Sequence, residues 1–124
     1  MSAAKHKDAQ VMLRCAELFN SMGLGAVTNW VYGDDFPTEH EAFIAKYPRS
    51  SDEYGDFRRY IGYFETLGTL WKHGLFDEDL LFDWLFIPWD RLADIVVGER
   101  NFAGVDRLYE NFEALGMRQR KRFG

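Results

Sequence analysis

The side chains best equipped for chemistry fall into a few clusters. Asp77, Glu78, Asp79 and Asp83 are the densest acidic group. Asp79 and Asp83 stand one helical turn apart, a spacing at which two carboxylates can share a divalent cation or divide acid and base roles. The same residues suit a plainer duty, with the first three capping a helix start and Asp83 facing solvent. Arg118, Arg120, Lys121 and Arg122 form a basic run near the C-terminus. Arg58-Arg59, with Tyr60 and Tyr63 nearby, fits either an anion contact or a solvated helix face. Trp84 and Trp89 flank Phe86 and Pro88, with Arg91 just beyond. Trp, Tyr and Arg are the residues that most often anchor protein interfaces, and the competing reading is that these aromatics pack into the core, since a bundle of this size buries most of its aromatics.

The patterns of familiar catalysts are missing. A di-iron helical site needs Glu-x-x-His pairs; His6, His40 and His73 are preceded at that spacing by Ala3, Pro37 and Leu70. Glu39-His40-Glu41 places its side chains on different sides of a helix. There is no Gly-x-Ser-x-Gly elbow and no Gly-Lys-Ser/Thr phosphate loop. Cys15 is the single cysteine, so neither an intrachain disulfide nor a multi-cysteine metal site is available. An amphipathic neighbourhood with Leu18 and Phe19 predicts a buried, inert thiol. No metal, cofactor or catalytic residue is therefore expected.

Charge is distributed unevenly. Residues 117–124 carry four basic groups and no acidic ones, whereas residues 1–116 carry 11 basic and 20 acidic groups. A basic end on an acidic body reads as an interaction tail, able to meet nucleic acid or an anionic surface. The body's charge of −9 opposes approach to phosphates. The alternative is a last helical turn whose cations complement the helix dipole or pair with acidic groups.

These groups must be held by helices. Val11, Met12, Cys15, Leu18, Phe19 and Met22 recur at helical spacing and predict a helix over 8–22. A short one follows over 26–32. Thr38 and Glu41 form a capping box that starts a third, ended by Pro48. Ser50 to Glu53 offers a second capping box. After it, Phe57, Tyr60, Ile61, Phe64, Leu67, Gly68 and Trp71 make the clearest stripe in the chain, with Gly74 at its end. Asp77 caps the next helix, which carries Leu80, Leu81, Trp84, Leu85, Trp89, Leu92, Ile95 and Val96, is kinked or broken at Pro88 and ends at Gly98. A final helix carries Phe102, Val105, Leu108, Tyr109, Phe112 and Leu115.

The prediction is an all-α, compact single-domain bundle of five or six helices over residues 1–116, one of them kinked at Pro88, with a basic tail over 117–124. The 124 residues are enough for one core, and 47% hydrophobic with 17% aromatic content excludes disorder. The opening MSAAKHKDAQ has no apolar run, and Leu80 to Trp89 is too short to span a bilayer and contains Asp83. A cytoplasmic protein without membrane contact is expected.

Residues 60–80, YIGYFETLGTLWKHGLFDEDL, then Trp84, Trp89 and Arg91, and Tyr109 to Leu115, YENFEAL, resemble the bacterial group called domain of unknown function 4760. The likeness covers roughly residues 55–116. It rests on an aromatic and Glu, then Leu-Gly, then a Gly-Leu helix end before an acidic helix start. The resemblance implies an all-helical domain and carries no established activity. Members often place a membrane helix ahead of the domain, a feature the N-terminal stretch here does not repeat.

The functional expectation is a non-catalytic interaction or regulatory protein that contacts a protein partner, or itself, through an aromatic surface at Trp84, Trp89 and Arg91. One alternative is nucleic-acid association through Arg118, Arg120, Lys121 and Arg122. Another is an enzyme or metal protein built on Asp77–Asp83.

Overall fold

A computed structural model describes residues 3–124, so Met1 and Ser2 of the N-terminal stretch lie outside the described residues. Helices are α1 (Ala3–Ser21), α2 (Leu24–Val31), α3 (His40–Lys46), α4 (Asp52–Lys72), α5 (Glu78–Trp84), α6 (Trp89–Ala103) and α7 (Glu110–Phe123). No strand occurs among the described residues. The all-α expectation holds, with seven helices among the described residues instead of five or six, because the arm across Pro88 is two helices and not one kinked one.

The break follows from Pro88, which lacks an amide and clashes with a carbonyl four residues back. Helix α5 accordingly stops at Trp84, and Leu85 turns extended at φ −128°, ψ 142°. Pro88, itself buried, then stands at the N-cap of α6. The open backbone is satisfied from α7: Ile87 N–H donates to Gln119 Oε1 at 2.7 Å, and Gln119 Nε2 donates to the Ile87 carbonyl at 3.0 Å. Buried peptide groups need such partners.

Helix α4 is the spine of the core. Of the stripe expected from spacing, Phe57, Tyr60, Ile61, Phe64, Leu67 and Gly68 are buried and Trp71 is half-buried. Leu24, Val27 and Val31 of α2, Phe43 of α3, Leu92, Ile95 and Val96 of α6, and Phe112 and Leu115 of α7 close around it. Burying each such side chain contributes about 1.5–3 kcal/mol. Aromatic rings run through this interior in contact: Phe43 lies 4.7 Å from Phe57, Phe64 5.7 Å from Phe112, and Phe112 5.2 Å from Trp89.

Two helix starts agree with the sequence and two do not. Ser51 Oγ accepts from Tyr54 N–H at 3.2 Å, and Asp77 Oδ2 accepts from Leu80 N–H at 3.1 Å. The Thr38 capping box does not form. Helix α3 begins at His40, whose N–H donates to Asp94 Oδ2 of α6 at 2.8 Å. The final helix also starts later than its apolar spacing suggests. Helix α6 runs past Gly98 to Ala103 and ends at Gly104, φ 68°; a turn follows, and α7 begins only at Glu110. Phe102 and Val105 are consequently exposed. Helix α7 crosses residue 116 without a break, so the basic run forms its last turns.

Candidate functional site

The aromatic group around Pro88 is divided by the fold. Trp89 is 4% exposed. It packs on Phe112 and directly over Gly116, where a β-carbon would overlap its side chain. As a core residue it takes the packing role that its place in the apolar pattern implied, and it presents no ring at the surface where the interface reading needed one. Trp84 is half-buried and stacks on Phe76 at 6.1 Å. Arg91 donates through Nε to the Val31 carbonyl and through Nη2 to the Gly33 carbonyl at 3.0 Å, so it closes the C-terminal end of α2. The outward aromatics at this end are Phe86 and Phe123, beside Phe82 and Trp84 around a shallow hollow.

The acidic cluster and the basic run meet each other. Arg118 grips Glu78 with two donors, at 2.7 and 2.9 Å. Arg122 reaches Glu78 at 3.0 Å and Asp79 at 2.5 Å, and Arg120 pairs with Asp90. Donation from Arg118 above all, opposed by partial burial and helped by Trp71 and Arg122, holds the Glu78 carboxyl down at about 2. Lys121 is left exposed. Asp77 is occupied as the cap of α5 and Asp83 faces outward. Among the described residues, no three His, Cys, Asp or Glu side chains converge as a metal site.

The most buried charged group escaped the sequence reading. Glu99 of α6, 5% exposed, lies among three donors from other elements. Arg49 Nη2 donates to Oε2 at 2.5 Å, His40 Nε2 to the same oxygen at 2.8 Å, and the Tyr54 hydroxyl to Oε1. An ionised carboxylate only accepts, so His40 carries a proton on Nε2. Burial works to raise the Glu99 carboxyl. Donation from Arg49, Tyr54 and His40 outweighs it and holds the group below the ordinary value. Burial first, and then Glu99, push the Tyr54 phenol up to about 12. Gly98 makes the arrangement possible, since any β-carbon there would overlap the His40 ring. A signal was present in the sequence: Glu99 extends the apolar spacing of Leu92, Ile95 and Val96 by one step.

A second feature lies between α1 and α4. Helix α1 packs mainly on α2 and α5 and leaves an apolar groove of about 760 Å³ along α4. Val11, Cys15, Leu18, Tyr63, Leu67 and Leu70 line it; Lys7, Arg14 and Arg59 stand at its edges. The Tyr63 hydroxyl donates to the Cys15 carbonyl at 2.5 Å and tethers the two helices. Burial raises the Cys15 thiol, which keeps it protonated and a poor nucleophile. Among the described residues, no helix is long and apolar enough to cross a membrane.

The chain is thus a small helical domain in which a buried carboxylate ties three elements together and a long groove flanks the central helix. The model of the family described as Domain of unknown function (DUF4760) matches residues 5–119, and the chain belongs to that family. No curated protein and no solved structure matches it.

Proposed function

We propose that the protein is a non-catalytic interaction module that seats an amphipathic helix of a partner protein in the groove between α1 and α4. The observation that carries this reading is the groove itself, apolar along its floor and edged by Lys7, Arg14 and Arg59. Its wall on α1 and the turn after it runs from Lys7 to Met22, about 22 Å, and its wall on α4 from Arg59 to Leu70, about 16 Å. That length suits several turns of a helix laid in by its apolar stripe. Arg14 and Arg59 each pair with one neighbouring carboxylate, Glu17 and Asp56, in exposed ion pairs that exchange readily, and together with Lys7 these edges favour a partner helix with Asp or Glu beside that stripe. The groups of the expected nucleic-acid and metal readings are largely engaged with one another, so we attach no second reading to them.

A synthetic Leu-striped helix of about 16 residues, long enough to fill the groove, tests the reading in an acidic and a basic version. The acidic version is expected to bind and the basic one not. Gly62→Leu is expected to abolish binding while the fold persists, because a β-carbon at Gly62 on the groove wall meets nothing within 4 Å. Equal binding of both helices, binding of neither, or binding that survives Gly62→Leu overturns the proposal. Sedimentation showing a dimer that Gly62→Leu dissociates would assign the groove to a second copy of the chain instead.

A further inference from the structure

The turn between α6 and α7 folds over the start of α4 and encloses a separate cavity of about 410 Å³, lined by Arg49, Tyr54, Arg58, Phe102, Leu108 and Tyr109. We propose that this cavity binds a small organic anion with a flat apolar body, an aromatic carboxylate or phosphate monoester. Arg58 and the Tyr109 hydroxyl would hold its acid group.

Two donors of this cavity, Arg58 and the Tyr109 hydroxyl, are unspent, whereas the other arginines of the molecule are engaged. Arg14, Arg59, Arg100, Arg107, Arg118, Arg120 and Arg122 each pair with a carboxylate, Arg49 is held by Glu99, and Arg91 by two carbonyls. Among the described residues, Arg58 alone of the arginines has no hydrogen bond or ion pair. The Tyr109 hydroxyl has no partner either, and Arg49 keeps a buried Nε without an acceptor. The one carboxylate in the wall, Glu99, is already engaged by Arg49, Tyr54 and His40. Two guanidinium groups against one carboxylate give the wall a net positive charge. Asp52 and Asp56 line the adjoining surface with Arg58, and Asp56 is taken by Arg59.

The remaining wall suits a flat body. Phe102 is 66% exposed, and the Arg49 guanidinium lies 3.4 Å from its ring centroid. Ile61 and Leu108 add aliphatic surface. The backbone carries an independent mark. Tyr109 is the sole non-glycine among the described residues with positive φ, at φ 59° and ψ 30°. This conformation is costly for a side chain with a β-carbon, and such residues cluster at ligand sites. The volume is within the range of small-molecule sites, roughly 300–1,000 Å³.

Phenyl phosphate, benzoate and inorganic phosphate, each titrated into the full chain and followed by amide NMR shifts, provide the test. Phenyl phosphate or benzoate is expected to saturate with Kd of about 1 mM or tighter, to shift resonances of Arg58, Phe102 and Tyr109, and to bind more tightly than inorganic phosphate. Arg58→Ala removes an exposed side chain without partners, so the fold should persist while affinity falls about tenfold or more. Tyr109→Phe removes only the unpartnered hydroxyl and keeps the ring that packs on the core, so thermal stability should hold while affinity falls. Absence of saturable binding by either aromatic acid overturns the proposal. So does affinity unchanged in Arg58→Ala, or inorganic phosphate binding as tightly as phenyl phosphate.

Discussion

Glu65 Oε1 accepts the backbone N–H groups of Asn111 and Phe112, each at 2.9 Å, and Oε2 accepts the Asn111 side-chain amide at 2.8 Å. Helix α7 has no side-chain cap of its own, because Tyr109 at its N-cap makes none. A carboxylate in the middle of α4 takes that place, where free amides and the helix dipole favour negative charge. Gly68, one turn further along α4, lies against the Asn111 carbonyl. The two stretches that resemble the family, around Phe64–Gly68 and Tyr109–Leu115, are therefore the two sides of one joint.

Glu65→Ala should destabilise the fold by about 1–2 kcal/mol, the ordinary cost of a lost cap with its dipole interaction. Glu65→Gln keeps acceptor oxygen without the charge and should cost about half as much. Urea unfolding reads both as a lower midpoint. A midpoint unchanged in Glu65→Ala would show that the cap contributes nothing.

Gly68 and Gly62, two turns of the same helix, should respond with opposite signs to alanine. A β-carbon on Gly68 would be driven into the backbone of Asn111, which cannot swing aside as a side chain can. Gly68→Ala should cost about 1–3 kcal/mol as overpacking. At Gly62 the space is open, and alanine should stabilise by about 0.4–1 kcal/mol through better helix propensity and a less free unfolded chain. Paired melting curves decide; a shift in the same direction for both would refute the close approach at Gly68.

What the sequence made legible was local. The stripe on α4, the caps at Ser51 and Asp77 and the interruption near Pro88 all depend on neighbours within a few residues. The caps of α3 and α7 do not, because Asp94 and Glu65 lie 54 and 46 residues from the amides they receive. No spacing rule reports such a pair. The same reason explains the basic run. Its charge suggested a tail, but Arg118 and Arg122 stand four residues apart on one helical face, and both reach Glu78 across 40 and 44 residues. Trp89 illustrates the opposite ambiguity. Aromatic type alone serves a core and an interface equally well, and the deciding fact is Gly116 on a different helix.

Glu99 ties α6 to α3 and to the start of α4 through Arg49, His40 and Tyr54. Glu99→Ala leaves three donors without their acceptor and should cost about 3–5 kcal/mol, as for one partner removed from a buried pair. Tyr54→Phe removes a single donor and should cost about 1–2 kcal/mol. Denaturant unfolding of both variants checks the order. Equal losses would mean that the Tyr54 hydroxyl bond alone accounts for what the carboxylate contributes, and that Arg49 and His40 add nothing to the joint.

Glu78 sets a pH dependence whose sign follows from its environment. In the folded chain its carboxyl sits at about 2, against an ordinary 4.5. The unfolded chain therefore binds the proton more tightly. The stabilisation is fully present above about pH 4.5 and is lost as pH falls toward 2. Its Arg118 and Arg122 partners are partly solvated, with side chains 38% and 29% exposed. Screening then limits the contribution to about 1 kcal/mol at moderate salt. Glu78→Gln should be less stable than the natural chain by about that amount at pH 7, and the two should converge near pH 2. The comparison isolates Glu78 from Glu99, whose carboxyl is also depressed. Unfolding free energies measured from pH 7 down to 2 check it. Parallel curves for the two proteins would rule out the ion pairs of α5 and α7 as the source.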